Sequence, residues 1–372
     1  MGKKKKITVS VISDLATDQR VIRISSTLQQ MGFEVLVIAR QLRNSLPLEQ
    51  YPFAATRIRC YFSKGIMQYA EFMLKLFLKL LFTKTDYLLA NDLDTLLPDF
   101  LISKLKNKYL FYDTHEYFTG VPELAHSPLK RKVWKRLEDI IFPKLKTVYT
   151  VNDSVKNEYE KEYHIPIGII RNVPVTRHVV PASLPPNWQG KIILLAQGAG
   201  FNEGRSCVEM IEAMPYLDSR FHLVFIGGGN QWGKLQQRRK ELHLEERFDM
   251  LPKMLPLVLK TYTPLAHLGI SLDTFTDKNC LFNLPNKIFD YIHAGVPIFS
   301  TAIPEIKNIV DTYHCGIYIT NTSPQAIAKC ITALFADKPY YELLKSNTLV
   351  AAKELCWEKE AEKLKTIYSP FL

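Results

Sequence analysis

The sequence predicts an α/β protein of two doubly wound units in tandem. Three observations carry this. Short apolar, β-rich runs alternate with longer stretches of helical periodicity. The alternation breaks once, over Pro174–Gly190, and then restarts. Glycine clusters follow two of the later runs, where a strand turns into a helix.

Ile7–Ser13 (ITVSVIS) reads as the first strand. Asp18–Met31 follows as a helix, with Val21, Ile24, Leu28 and Met31 at helical spacing. Glu34–Ala39 is the next strand, and YLLA, YLFY and TVYTV begin later ones at Tyr87, Tyr109 and Thr147. Runs that are apolar throughout mark strands of a parallel sheet covered on both faces. The stretch 174–190 holds Pro174, Pro181, Pro185 and Pro186 and is read as a linker. Beyond it, KIILLAQ, FHLVFIGGG, HLGISL, VPIFS and GIYI repeat the alternation from Lys191 to Ile319. The expected division is residues 1–173, the linker 174–190, a second unit 191–353 and a terminal helix 354–372. Two such sheets are expected to face each other across a cleft, since open α/β sheets bind ligands off their strand C-termini.

Composition narrows the function class. The 372 residues are 47% hydrophobic and 23% charged, ordinary for a globular chain. Six dispersed cysteines without CxxC or zinc spacing read as reduced thiols in a cytoplasmic protein. The opening MGKKKKITVSVIS lacks the apolar run of a signal peptide, and no apolar stretch is long enough to span a bilayer. The formal charge of +11 points to an anionic partner: nucleic acid, an acidic lipid surface or a phosphorylated substrate. No nucleic-acid motif accompanies it, so nucleic acid is set aside.

Three segments carry candidate chemistry. In LFNLPNKIFDYIHAGVPIFS, from Leu281, Asn283 can cap a helix and Pro285 suits its first turn. Lys287 adds a full positive charge to a helix start that already favours phosphate. Asn286, Asp290 and His293 share one polar face, with Asp290 placed to accept from ribose hydroxyls; an ordinary capped amphipathic helix is the alternative. GAGFNEGR (Gly198–Arg205) follows a strand and opens a helix. Gly198, Asn202 and Gly204 let backbone N–H groups approach a phosphate, and Arg205 can grip one in fork geometry. Gly228, inside Gly227–Gly229, is a weaker candidate beside the reading of a tight turn. In YDTHEYFTG, His115 and Glu116 follow a strand of the first unit, where a histidine can bond a sugar hydroxyl or hold a proton. Asp14, Asp18 and Arg20 follow the first strand and are acceptor-side candidates, with helix capping the alternative for Asp18.

Taken in order, these segments resemble the GT-B fold retaining glycosyltransferases of family 4, group 1. NLPNKIFDYIHAGVPI looks like that family's donor segment, GAGFNEGR its phosphate loop, and YDTHEYF its first-domain histidine segment. RNVPV (Arg171–Val175) resembles the strand entering the linker, and CWEKEAEKLKTIY (Cys356–Tyr368) the final helix, which in the family crosses back to the first domain. The resemblance implies a hexosyltransferase-type enzyme that moves a sugar from a nucleotide sugar with retained configuration and needs no metal or other cofactor. Arg205 and Lys287 would hold the diphosphate, Asp290 the ribose in place of the usual glutamate, and His115 a sugar. The family's other glutamate falls on Phe282, with Asp273 and Asp277 as alternatives for that carboxylate.

Gln68–Lys84 is almost wholly apolar apart from Glu71, Lys75 and Lys79, and His126–Lys146 is basic with Trp134 and Phe142. Both read as contacts to an anionic membrane, placing a saccharide or lipid-linked acceptor at the inner face of the cell membrane in cell-surface polysaccharide or glycolipid synthesis. A buried crossover helix is the alternative for the first. A nucleotide-sugar epimerase and a non-catalytic nucleotide-sugar binder are the competing functions.

Overall fold

The computed structural model describes residues 4–43, 45–48, 50–120, 124, 127–198, 200–274 and 281–372. The chain divides into two compact units, Met1–Asn172 with Trp357–Leu372, and Val173–Cys356.

The first unit holds seven strands among its described residues: β1 (Lys6–Val11), β2 (Glu34–Gln41), β3 (Ala54–Arg59), β4 (Tyr87–Asn91), β5 (Tyr109–Thr114), β6 (Thr147–Thr150) and β7 (Ile167–Ile169). All pair in parallel, in the order β3-β2-β1-β4-β5-β6-β7. Every return from one strand to the next therefore needs a crossover, and helices supply those after β1, β3, β4, β5 and β6. The order reverses between β1 and β4, so the loops leaving these strands splay apart at the sheet's C-terminal edge.

The terminal helix Trp357–Tyr368 belongs to this unit. Trp357 Nε1 donates to Thr27 Oγ1 at 3.1 Å, and the Arg23 guanidinium lies over the indole. Tyr368 stacks on Phe111 with ring centroids 4.2 Å apart. Glu360, 1% exposed, accepts from the Arg171 backbone N–H.

The helix Gly65–Phe82 packs on one side only. Phe72, Leu76 and Leu80 are buried, whereas Ile66, Met67, Leu74, Leu78 and Phe82 are exposed. Of its charged residues, Lys79 is exposed, whereas Glu71 and Lys75 are half-buried. Lys75 Nζ bonds Glu71 and the Arg59 carbonyl, tying the helix to the sheet edge.

The second unit holds six strands among its described residues: β8 (Ile192–Gly198), β9 (Phe221–Gly227), β10 (Phe248–Pro252), β11 (Leu268–Ser271), β12 (Ile298–Thr301) and β13 (Gly316–Ile319). They are parallel in the order β10-β9-β8-β11-β12-β13, reversing between β8 and β11. The linker residue Trp188 is buried against this unit, its Nε1 donating to Asp249 at 2.6 Å.

Candidate active site

A pocket of about 290 Å³ opens at the reversal between β8 and β11. Its walls come from the loop after β8, the ends of β9 and β11, and the start of the helix Asn286–His293. Arg205 and Lys287, 82 positions apart in sequence, both line it.

Local packing explains the loop. Gly227 has a φ of +153°, and a Cβ there would fall 1.7 Å from the Gly198 carbonyl oxygen. A Cβ on Gly229 would fall 2.3 Å from the Phe201 carbonyl oxygen. These two glycines let the loops after β8 and β9 touch. Phe201 N donates to Gly228 O and Asn202 Oδ1 accepts from Asn230 N, closing the contact. Asn202 and Gly228 therefore join loop to loop, and neither is among the pocket's walls. Gly198 does line the pocket; Gly204 supports it, its carbonyl accepting from Thr274 N and Oγ1.

The helix starts later than the sequence suggests. Asn283 does not cap it; Pro285 holds the cap position, no side chain caps the first turn, and Asn286 is the first helical residue. The orphan N–H groups and Lys287 thus fall together. Arg205 Nη1 is 3.0 Å from Asp273, which is almost fully buried. Burial pushes the Lys287 ammonium below the usual lysine range; Asp273 opposes the shift and Arg205 adds to it. The pocket is a cationic seat with one internal counter-charge. Asp290 stands behind the wall, its carboxylate 3.5 Å from the amide of Gln197, which does line the pocket.

In the first unit, a second polar cluster sits on the loops after β4 and β5. His115 Nδ1 is 3.0 Å from Asp92, and Nε2 is 3.3 Å from Asp113. Burial disfavours the imidazolium, but the two carboxylates outweigh burial and raise its pKa well above the usual histidine range. The shift favours the imidazolium, which suits His115 to donate hydrogen bonds or balance negative charge. Glu116 is exposed beside it. Asp113 is bridged in turn by Arg20, through Nε at 2.9 Å and Nη2 at 2.6 Å, and Arg20 Nη1 reaches the Ile170 carbonyl. Arg20 is 2% exposed, so its acceptor-side reading is corrected: it is a buried clamp on Asp113. Asp18 caps the first helix through Val21 N, and Asp14 pairs with Arg57 at 2.7 Å.

Residues 194–337 match the profile of the family described as glycosyl transferases group 1. The matched stretch lies within the second unit and covers less than half of the chain. Solved structures show the fold of the whole chain to be GT-B. Sucrose-phosphate synthase from Thermosynechococcus elongatus is 15% identical, with 99% of each chain covered and a TM-score of 0.78. HepE from Anabaena, in complex with UDP-glucose, is 15% identical over 98% of this chain and all of that one, with a TM-score of 0.76. A protein described as a UDP-N-acetylglucosamine 2-epimerase from Listeria monocytogenes is 14% identical, covering 99% and 97%, with a TM-score of 0.69. No curated protein matches the sequence.

Within the matched residues, Phe282 is half-buried where the resemblance implies a glutamate, and Asp277 lies outside the described residues. Asp273 is the carboxylate that does face the cations. Sequence reasoning missed Gln197 and Asp92. The signal for Gln197 is a lone amide in an otherwise apolar strand, directly before a glycine. For Asp92 it is a left-handed φ of +59° in a non-glycine residue, which no sequence pattern announces.

Proposed function

We propose that the protein transfers a sugar from a nucleoside-diphosphate sugar to a saccharide or lipid-linked acceptor. The observation that carries this is the convergence of Arg205 and Lys287 on one pocket at the strand-order reversal of the second unit. Cleavage of the anomeric bond places positive charge on the sugar and negative charge on the departing diphosphate. Two cations and an uncapped helix start are preorganised for that anion. Because they already supply positive charge, we assign the reaction no metal requirement. Retention follows a same-face route in which the leaving phosphate helps deprotonate the acceptor. Asp290, reached through Gln197, is assigned to the ribose and the protonated His115 to a sugar hydroxyl. HepE was solved with UDP-glucose, which makes UDP-glucose the first donor to test.

We also propose that the enzyme works on the inner face of the cell membrane, in the synthesis of surface polysaccharide or glycolipid. The support is the exposed apolar row Met67, Leu74, Leu78 and Phe82, with Lys79 and Lys84 exposed nearby. No helix among the described residues is long and apolar enough to cross a membrane.

An assay with labelled UDP-sugars tests the reaction. Transfer or slow donor hydrolysis that disappears in Lys287→Ala supports it. Epimerised free nucleotide sugar as the product would move the protein to the second class, the one suggested by the Listeria relative.

A further inference from the structure

The helix Pro128–Ile141 in the first unit carries chemistry that the donor pocket does not use. Its sequence, PLKRKVWKRLEDII, sorts by helical spacing into three faces. Glu138 and Ile141 are buried. Arg131, Lys132, Lys135 and Arg136 line a groove of about 610 Å³ together with Tyr117 and Thr119. Leu129, Val133 and Ile140 are exposed on a third face.

The charge in the groove is unbalanced. Its one carboxylate, Asp139, is bound to Lys135, which also reaches Glu162 at 2.6 Å and the Tyr163 hydroxyl at 2.9 Å. Burial works against the charge on Lys135, but the bonds to Asp139 and Glu162 raise its pKa, so it stays cationic. Arg131, Lys132 and Arg136 are exposed, and among the described residues no carboxylate pairs with them. Three uncompensated cations on a concave surface suit an anion of more than one charge, and guanidinium forks match phosphate oxygens. The groove is also close in sequence to His115: Tyr117 and Thr119 lie two and four residues beyond it.

Beside the basic face runs an exposed apolar one, Leu129, Val133 and Ile140. Trp134, on the opposite side of the helix, meets Tyr69 edge-on at 5.3 Å and packs it against Gly65–Phe82. A ligand that satisfies both features has a phosphate end and a hydrocarbon end. We propose that the groove seats the phosphate end of a lipid-phosphate acceptor. This rests on the glycosyl-transfer reading and names the acceptor class for it.

The test is calorimetric titration of the full chain with farnesyl diphosphate, inorganic pyrophosphate and vesicles of phosphatidylcholine with phosphatidylglycerol. It compares wild type, Arg205→Ala, and a triple variant Arg131→Gln, Lys132→Gln, Arg136→Gln. Farnesyl diphosphate is expected to bind more tightly than pyrophosphate. The triple variant is expected to lose about tenfold or more in farnesyl diphosphate affinity while keeping its affinity for UDP. All three positions are exposed, and Arg131→Gln alone gives the same test at smaller amplitude if the triple change unfolds the chain. Equal affinity in the triple variant overturns the proposal. So does a pyrophosphate site lost only in Arg205→Ala, or a variant that loses vesicle binding but keeps farnesyl diphosphate. Farnesyl diphosphate binding in a chain that ignores every UDP-sugar would leave the groove standing and remove the glycosyl-transfer reading instead.

Discussion

Arg205 Nη1 lies 3.0 Å from Asp273, and neither oxygen of that buried carboxylate takes a hydrogen bond among the described residues. Asp273 is thus held by charge alone, beside two cations that face a pocket. It stabilises Arg205 and Lys287 in one place, and it repels any diphosphate that enters. Asp273→Asn keeps the shape and removes the competing charge. UDP is expected to bind roughly 3- to 10-fold more tightly to this variant, and Arg205→Ala to bind it at least tenfold more weakly. Weaker UDP binding by Asp273→Asn in calorimetry would sink this account of the pair.

Lys287 gives the donor site a pH dependence. Burial lowers its pKa from the ordinary lysine value. As pH rises, the ammonium loses its proton earlier than an exposed lysine would, and the attraction to diphosphate goes with it. UDP affinity is therefore expected to fall on the alkaline side, with proton uptake on binding there. Lys287→Arg should hold affinity to higher pH because a guanidinium stays charged. Titration in two buffers of different ionisation heat measures the uptake; a flat alkaline profile would count against Lys287 as a diphosphate ligand.

The strands that the sequence reveals and those it hides differ in a physical way. β1, β4, β5, β8, β9, β11 and β12 are interior, covered on both faces, and read as continuous apolar runs. The three missed strands, β3 (AATRIR), β7 (IGI) and β10 (FDMLP), are all at sheet edges, where one side has no partner and a polar or short strand is tolerated. The site followed the same logic. Arg205 and Lys287 could be named because glycine, proline and helix-start patterns are local. The bridge from Arg20 to Asp113 spans 93 positions, and no local pattern encodes it. An arginine after the first strand reads equally as a ligand or as a clamp until its partner is seen.

His115 is expected to titrate as a held imidazolium. Its folded pKa is raised above the unfolded value, so it contributes stability fully below about pH 6.5, and that contribution is lost as pH rises through the folded pKa. Asp92→Asn removes one of the two carboxylates and should bring the titration down toward the ordinary range. The ring resonance of His115, assigned by its absence in His115→Gln, reads this directly. A midpoint at or below the ordinary histidine value in wild type would restore a general-base role.

Glu138 sits beneath the basic groove, fully buried, accepting from Tyr159 at 3.0 Å and Tyr163 at 3.1 Å. Burial raises its pKa to about 7; Tyr159, Lys135 and Tyr163 offset only part of this. The sign follows from where the proton prefers to be. The folded chain holds the proton more tightly than the unfolded one, so stability falls as pH rises from the unfolded carboxyl range to about 7 and is flat beyond. Glu138→Gln keeps an acceptor for one tyrosine, offers an N–H to the other as the protonated carboxyl offers its O–H, and never ionises. Above pH 7 it should be more stable than wild type by at most about 3 kcal/mol, with the advantage shrinking toward pH 4. Tyr159 links this carboxyl to the loop after β5, since its hydroxyl also accepts from Phe118 N. Charging Glu138 therefore loosens the floor shared by the basic helix and the loop that carries His115. Urea melts of both chains at matched pH values decide it: parallel curves from pH 5 to 8 would mean that Glu138 is ionised throughout and that the buried network tolerates the charge.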